Sequence, residues 1–193
     1  MEEFINDALA KGWICESISP AGTLVLFTPK KDRTLCLYID YRGLNSITIK
    51  NCYPLPLISE LLDRLNGATI FSKIDLKDAY YQIQIKEGDK WKTAFYTHYG
   101  HFEFLIMPMG LTNIPATFQS YINNALRGYV DDFCVVYLDD ILVFSHSNEE
   151  HTHHLELVME RLRQFDLYAN AKKCSFFQEE LEFLGYLINT KGI

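Results

Sequence analysis

The sequence predicts an α+β protein built on a ferredoxin-like split βαβ antiparallel sheet with helices on one face. Short apolar or alternating runs typical of strands recur along the chain, and amphipathic segments typical of helices separate them. The main elements follow the order strand, helix, two strands, helix, strand, which is the order of a split βαβ unit. The chain has 193 residues, of which 48% are hydrophobic and 14% aromatic, so it can bury a substantial core.

The first half of the chain is predicted to contain short strands and one helix. Residues 1–22 are the least patterned and end in the breaker Pro20-Ala21-Gly22. Strands at residues 24–27 and 35–39 flank a charged turn at 29–33. The elements predicted next are an amphipathic helix at 57–65 that ends before Gly67, a strand at 69–74, and a meander at 81–85, 93–97 and 102–106 with a turn at Tyr99-Gly100.

The second half is predicted to contain two longer helices around a hairpin. The first begins with Thr112 or Asn113 as its cap and Pro115 in its first turn, and it ends near Arg127. Ser147 and Glu150 form a capping box for the second, which carries Leu155, Val158, Leu162 and Phe165 on one face. Strands are predicted at 133–137, 141–144 and 183–188.

Composition limits the classes of function. The net charge of −7 disfavours a nucleic-acid partner on charge alone, because Lys and Arg drive backbone binding. The five cysteines include no CxxC pair, which argues against a disulfide framework and a zinc knuckle. No apolar run approaches the roughly 18 residues of a membrane span, and the first residues lack the form of a signal peptide, so we expect an intracellular protein. Basic residues cluster at Lys30, Lys31, Arg33 and Arg42 and at Lys172 and Lys173.

Asp139 and Asp140 are the most informative feature. Two adjacent carboxylates at the tip of an apolar hairpin repel each other unless a cation lies between them. Asp75 ends another predicted strand, so a sheet can bring it beside them. Three carboxylates suit a two-metal phosphoryl-transfer site. The alternative is an ordinary solvated turn, against which the very apolar flanking strands argue.

A histidine cluster precedes Leu155. His151, His153 and His154, with Cys174 further on, lack the spacing that places zinc ligands on one helix face. We interpret the three histidines as a solvated first helical turn.

Six motifs occur in order and give the chain a specific resemblance. The motifs are Asp40-Tyr41-Arg42-Gly43-Leu44-Asn45, Tyr53-Pro54-Leu55-Pro56, Phe71-Ser72-Lys73-Ile74-Asp75-Leu76, Gly110-Leu111-Thr112-Asn113 with Pro115-Ala116-Thr117-Phe118-Gln119, Tyr137-Leu138-Asp139-Asp140-Ile141-Leu142, and Phe183-Leu184-Gly185. With these motifs the sequence resembles the reverse transcriptases of Ty3/gypsy retrotransposons, parts of long-terminal-repeat Pol polyproteins, over nearly its whole length.

This resemblance implies a polymerase palm with partial fingers and assigns roles by position. Asp75, Asp139 and Asp140 match the catalytic carboxylates that bind Mg²⁺, for which Mn²⁺ can substitute. Tyr80 matches the aromatic gate that rejects a ribose 2′-hydroxyl, and Lys173 matches a lysine that approaches the triphosphate. The remaining implied positions are nucleotide and template-base contacts at Arg42, Leu76, Met109, Gly110 and Gln119, and a primer grip at Leu184, Gly185 and Tyr186.

The implied activity is RNA-directed DNA polymerisation: addition of dNTPs to a primer on an RNA or DNA template. We expect a lead-in at 1–22, interleaved fingers and palm at 23–188, and at 189–193 the start of a connection to a thumb that is missing here. Protease, RNase H and integrase of the polyprotein are also missing, and the expected compartment is the cytoplasm, as a virus-like particle, or the nucleus.

Some positions depart from the family pattern. Cys36 stands where the family usually has an arginine that holds the triphosphate, and Ile114 replaces a small residue before Pro115. These departures leave a second interpretation open: a decayed, inactive remnant that folds and at most binds nucleic acid. A nucleotidyl cyclase shares the palm order, but it has no template to read, which argues against it.

Overall fold

The computed structural model describes residues 1–29, 35–190 and 192, with residues 27–29 and 35–37 described by their backbone alone. The chain forms two compact units. The first unit comprises Met1–Asn51 and Tyr80–Ile114, and the second comprises Cys52–Ala79 and Pro115–Ile193.

The first unit is built on a five-stranded sheet in the order β1-β6-β5-β2-β3. Its buried core includes Ile5, Ile14, Ile39, Phe95 and Phe104. The strands are β1 (Ile14–Glu16), β2 (Thr23–Pro29), β3 (Leu35–Ile39), β5 (Phe95–Thr97) and β6 (Gly100–Phe104), and the helices are α1 (Glu2–Ala10) and α2 (Arg42–Ile47).

Several predictions for the first unit are confirmed. Strands lie at β2 and β3, and β5 and β6 pair as a hairpin around Tyr99. The strand predicted at 81–85 is wrong: a 3₁₀ helix occupies Ala79–Gln82, followed by an isolated bridge between Gln84 and Ile106. Residues 1–22, predicted to be weakly patterned, contain α1 and β1. The predicted charged turn at 29–33 lies outside the described residues after Pro29.

The second unit contains a four-stranded antiparallel sheet in the order β7-β8-β4-β9. This is the predicted split βαβ arrangement, since β4 lies between strands that come later in the chain. Its elements are α3 (Ile58–Asp63), β4 (Ile70–Asp75), α4 (Ile114–Ala125), β7 (Cys134–Tyr137), β8 (Asp140–Ser145), α5 (Asn148–Gln164), β9 (Ser175–Gln178), β10 (Glu180–Phe183) and β11 (Tyr186–Asn189).

Both faces of this sheet are covered. On one face α5 packs against β4 and β8, and its His151 reaches Ser72. Because side chains alternate along a strand, Phe71 points to the other face, where it packs with Leu62 of α3 and Phe183 of β10. The long helix α5 therefore lies on one face, as predicted, while α3 and the β10–β11 hairpin close the opposite face.

The end of the chain differs in detail from the prediction. The single strand expected at 183–188 is instead a hairpin, in which Phe183 pairs with Tyr186 around Leu184 and Gly185. Both turn residues have positive φ, 52° and 84°, as a type I′ turn requires. The fourth strand of the main sheet is β9, which the sequence did not reveal. Within the described parts of the chain, no helix is long and apolar enough to cross a bilayer.

Candidate active site

Asp75, Asp139 and Asp140 come from adjacent backbone positions in the second unit. Asp75 ends β4 and pairs directly with Asp140, which begins β8. The next residue along, Leu76, donates its N–H to the carbonyl of Asp139 at 3.0 Å. The sheet thus brings together, at one edge, the three carboxylates that the sequence separates.

The hairpin tip between β7 and β8 is held by Gln119. Tyr137 pairs with Asp140, which leaves Leu138 and Asp139 as the two-residue turn. Leu138 has φ = 54°, a left-handed conformation that costs a residue with a side chain about 1 kcal/mol or more. Gln119 of α4 is fully buried, and its Oε1 accepts the N–H of Leu138 at 2.8 Å while its Nε2 donates to the carbonyl of Val136 at 3.2 Å.

Two lysines compensate the carboxylates. The Nζ of Lys73 lies 3.0 Å from Oδ1 of Asp140, and both side chains are only about one quarter exposed, 24% and 26%. The Nζ of Lys173 lies 3.4 Å from Oδ2 of Asp75. The aliphatic part of Lys73 carries its ammonium near the ring of Phe183, 6.0 Å from the centroid. Each carboxylate of the paired strand ends therefore has an ammonium partner.

The segment that carries Lys173 is fastened to the end of β4. Asn170 donates its N–H to the carbonyl of Asp75 at 2.8 Å, and Lys77 donates to the carbonyl of Tyr168 at 2.7 Å. A bridge between Leu76 and Ala169 lies between these bonds. The backbone around Asp75 is therefore tied on both sides, to the hairpin tip and to the segment after α5.

The donor set suits a hard divalent cation. Carboxylate oxygens are the protein ligands that Mg²⁺ prefers, and three of them start from neighbouring backbone positions. Across the described residues, no three His, Cys, Asp or Glu side chains already form a ligand cluster. The ammonium groups of Lys73 and Lys173 instead neutralise two of the three carboxylates. The residues fit a metal centre by chemistry and by backbone placement.

The first unit carries the implied nucleotide contact Arg42. Its guanidinium makes two hydrogen bonds to Asp40, at 2.9 and 2.8 Å, and its backbone N–H donates to the same carboxylate at 3.1 Å. The guanidinium hydrogen bonds lower the pKa of Asp40 to about 2. The side chain of Arg42 is 89% exposed, so the guanidinium is open to solvent beyond this pair.

Gly110 is anchored to α2 through Asn45. The Nδ2 of Asn45 donates to the carbonyl of Gly110 at 2.8 Å, and its Oδ1 accepts the N–H of Thr112, also at 2.8 Å. Gly110 has φ = 103°, a conformation that side chains rarely adopt. Met109 beside it is 49% exposed. Asn45 therefore fixes this turn, a role that its place in the Asp40–Asn45 motif did not reveal.

The other predicted residues lie as follows. Tyr80 lies in the 3₁₀ helix Ala79–Gln82 and is partly buried. Leu76 is buried, and its N–H is bonded to Asp139. Leu184 and Gly185 form the turn of the β10–β11 hairpin, and Tyr186 beside it is 47% exposed. Nucleotide contact by Leu76, Tyr80 and Gln119 and primer contact by this hairpin stay predictions.

The interpretation of the histidines as a solvated turn is wrong for His151, which is fully buried. Its ring lies between Ser72 of β4 and Ser145 of β8. His154 stacks on Phe133, with ring centroids 4.0 Å apart. The helix begins with the predicted cap, since Ser147 Oγ accepts the N–H of Glu150. Helical periodicity gave no sign that the first turn faces two sheet serines.

Ile114 and Cys36, the two departures from the family pattern, lie in different elements of the fold. Ile114 is buried at the start of α4. Cys36 pairs with Thr28 through its backbone in the β2–β3 ladder, while its side chain lies outside the described part of the chain.

Comparison with known proteins gives consistent matches. The family described as reverse transcriptase (RNA-dependent DNA polymerase) matches residues 27–188. The transposon Tf2-3 and Tf2-7 polyproteins of Schizosaccharomyces pombe are each 43% identical over 192 residues, which is 100% of this chain and 14% of each polyprotein. The chain thus spans about one seventh of the length of these relatives.

Solved structures with the same fold include the foamy viral protease-reverse transcriptase. Its complex with an RNA/DNA hybrid has a TM-score of 0.91 and 26% identity, covering 99% of this chain and 26% of that one. A complex of the dRH form with double-stranded DNA has the same TM-score and identity and covers 33% of that chain.

Proposed function

The chain belongs to the reverse transcriptase (RNA-dependent DNA polymerase) family, and from that premise we propose that it transfers deoxynucleotides to a primer 3′-hydroxyl by a two-Mg²⁺ mechanism. The substrates are a dNTP and an RNA or DNA template with its primer. The proposal rests above all on the pairing of Asp75 with Asp140 at the strand ends, with Asp139 bonded to the residue after Asp75.

In the proposed reaction the primer 3′-oxygen attacks the α-phosphorus of the dNTP, and pyrophosphate leaves. The chemistry supplied by bound Mg²⁺ is to stabilise the attacking and leaving oxygens and to offset phosphate charge. Asp75, Asp139 and Asp140 would hold the ions. Because the protein does little covalent chemistry in phosphoryl transfer, the rate depends on how rigidly these carboxylates are placed.

Four further residues have distinct tasks in this proposal. Lys173, already beside Asp75, is close enough to exchange its carboxylate partner for a phosphate oxygen. Lys73 keeps Asp140 paired when no metal is bound, which limits the repulsion between the carboxylates. Arg42 supplies a solvent-exposed guanidinium that can bind phosphate oxygens in a bidentate manner. The ring of Tyr80 acts as the steric gate that excludes a ribose 2′-hydroxyl.

Hybrid binding is part of the same proposal. The foamy viral relatives were solved with an RNA/DNA hybrid and with double-stranded DNA, which supports a duplex of either kind as the bound form here. In this proposal the β10–β11 hairpin, with Leu184, Gly185 and Tyr186, contacts the primer near its 3′ end.

Primer extension on an RNA template tests the proposal. We expect Mg²⁺-dependent incorporation by the wild-type chain and loss of at least about 10²-fold for Asp139→Asn, because that change removes a metal-binding carboxylate. Asp132→Asn is the matched control, since Asp132 is exposed near the other end of the same hairpin. Its incorporation should equal that of the wild type.

The inactive-remnant alternative predicts a different pattern. Neither the wild type nor either variant would then extend a primer, although all would fold. Cys36→Arg adds a second comparison: incorporation that appears only in this variant would identify a damaged nucleotide site in an otherwise complete centre. Incorporation that survives Asp139→Asn would refute the proposed centre itself.

A further inference from the structure

His151 is a buried titratable residue that the proposed reaction does not use. It lies in the first turn of α5, which Ser147 caps, and no part of its side chain is exposed. Its Nε2 is 2.7 Å from Oγ of Ser72, and its Nδ1 is 2.8 Å from Oγ of Ser145. Both serines are themselves buried, at 0% and 2% exposure.

Only one arrangement of protons satisfies all the hydrogen-bonding groups around this ring. Ser72 Oγ already accepts the N–H of Phe177 at 3.0 Å, and Ser145 Oγ also contacts Nδ1 of His154 at 2.9 Å. If neutral His151 carries its proton on Nδ1, it donates to Ser145. Ser72 then donates to Nε2 of His151, and Ser145 donates to Nδ1 of His154. Every hydrogen-bonding group of the His151 ring and of the Ser72 and Ser145 hydroxyls then has a partner.

The opposite tautomer leaves a group unsatisfied. With the proton on Nε2, His151 donates to Ser72, whose oxygen then accepts twice. Among the residues that the structure describes, the hydroxyl proton of Ser72 then has no acceptor left. A doubly protonated ring has the same defect. Leaving a buried hydroxyl proton without an acceptor is unfavourable, so the Nδ1–H tautomer is favoured.

The two serines belong to the strands that carry Asp75 and Asp140. Ser72 is on β4, which ends at Asp75, and Ser145 is on β8, which begins at Asp140. Phe177, whose N–H bonds to Ser72, is on β9. One imidazole therefore links β4 to β8 directly and to β9 through Ser72, on the face opposite Lys73.

We propose that His151 is a positioning residue: as the neutral Nδ1–H tautomer it clamps β4 against β8 through Ser72 and Ser145 and thereby sets the spacing of Asp75 and Asp140. The catalytic meaning of this clamp rests on the proposed function. Groups that orient metal ligands by direct hydrogen bonds typically change metal affinity by 10–100-fold when removed, and a contact that acts through the strands should lie at the lower end of that range.

The clamp makes the site sensitive to acid. Burial lowers the pKa of His151 below its usual 6.5, and the nearby His154 lowers it further, while Glu150 opposes them. In the folded state the ring is therefore neutral where an unfolded histidine would be charged. The contribution of neutral His151 to the stability of the folded state is complete above pH 6.5 and is lost as the pH falls through the lowered pKa. The other groups that contact the ring are the two serines and Phe177.

The test compares His151→Gln with His153→Gln, which alters an exposed histidine of the same helical turn. Three readouts are used: the ¹⁵N shifts of His151, which report its tautomer; the amide signals of Asp75 and Asp140; and affinity for Mn²⁺ alone, from paramagnetic broadening. We expect the Nδ1–H tautomer at pH 7.5. We also expect displaced Asp75 and Asp140 signals and about tenfold weaker Mn²⁺ binding in His151→Gln only.

Several results would overturn the clamp. An Nε2–H or charged ring at pH 7.5 would do so, as would Asp75 and Asp140 signals in His151→Gln that match those of His153→Gln. If His151→Gln does not fold, Ser72→Ala removes a single hydroxyl and should displace the same two signals. If the wild type binds no Mn²⁺, the proposed metal site fails, whereas the tautomer and the amide signals still decide the clamp.

Discussion

Arg42 binds Asp40 through its guanidinium and its backbone N–H, and this contact affects how the guanidinium can bind a phosphate. A bidentate fork that is already engaged must share or exchange its partner to bind a phosphate. The pair is solvent-exposed on the arginine side, so exchange needs no rearrangement of the core. The pKa of Asp40 therefore reports whether the guanidinium of Arg42 is bound to it.

We predict that Asp40 titrates near pH 2 in the wild type and near its ordinary 3.8 in Arg42→Gln. The pKa is depressed, so the stabilisation from this carboxylate is complete above pH 3.8 and is lost as the pH falls through about 2. A ¹³C titration of the Asp40 carboxyl measures this. Arg64→Gln, which removes the partner of Asp131 instead, should leave the Asp40 titration unchanged. An Asp40 pKa unaffected by Arg42→Gln would contradict the pairing.

Single residues were predicted from sequence where a motif fixes them and missed where only tertiary contacts do. Asp75, Asp139 and Asp140 follow from hairpin and strand patterns plus charge. The burial of His151 depends on two serines that are far away in sequence, on β4 and β8. Nothing in the helical period of α5 distinguishes its inward first turn from a solvated one.

The β7–β8 hairpin is the element on which the site depends most. Its turn places Leu138 at positive φ, where glycine would be unstrained, so another contact must hold the conformation. Gln119 supplies that contact from α4 with both ends of its amide. Through these two bonds the helix holds the turn that carries Asp139 and that precedes Asp140.

We expect Gln119→Leu to lower the free energy of unfolding by about 1–3 kcal/mol, because it leaves the partly buried Leu138 N–H and the buried Val136 carbonyl without their side-chain partner. Denaturant unfolding measures the change. Gln164→Leu on the surface of α5 is the control and should stay within about 0.5 kcal/mol of the wild type. Equal stabilities for the two variants would show that Gln119 does not hold the hairpin.

Among the elements, most segments with a clear period or cap were predicted correctly, whereas β9 and the structure at 81–85 were not. The capped helix α5 and strand β4 followed from spacing and caps. Strand β9 spans four residues, Ser175–Gln178, all exposed, so no alternation marks it. The segment at 81–85 alternates like a strand, yet the chain forms a 3₁₀ helix at Ala79–Gln82 and a single bridge at Gln84.

For the whole molecule, charge limits how a duplex can be bound. The chain has 18 Lys and Arg against 25 Asp and Glu. With fewer cationic than anionic side chains, the proposed binding of a duplex should involve few phosphate contacts. We therefore expect a weak salt dependence, because each contact of Lys or Arg with phosphate releases counterions. Compensation of the carboxylates by divalent metal would favour the approach of the phosphate backbone to this edge of the sheet.

We predict a modest salt dependence for binding an RNA/DNA hybrid. Raising KCl from 50 to 200 mM should weaken binding by less than about 10³-fold, the lower end for proteins with 6–10 phosphate contacts. Fluorescence anisotropy with a labelled hybrid, in the presence of Mg²⁺, measures this. If Lys173 contacts phosphate, Lys173→Met should make hybrid binding less dependent on salt. Lys172→Met is the neighbouring control and should leave the salt dependence as in the wild type. A loss of affinity steeper than about 10³-fold would contradict the prediction.

The most direct test of the proposed centre is where a divalent metal binds, because metal binding can be measured without primer extension. The measurement is paramagnetic broadening of backbone amide signals by Mn²⁺ titrated into the wild-type chain, Asp139→Asn and Asp132→Asn. We predict broadening centred on residues 74–76 and 138–140, lost in Asp139→Asn and kept in Asp132→Asn. Broadening centred on other acidic residues, or unchanged by Asp139→Asn, would contradict it.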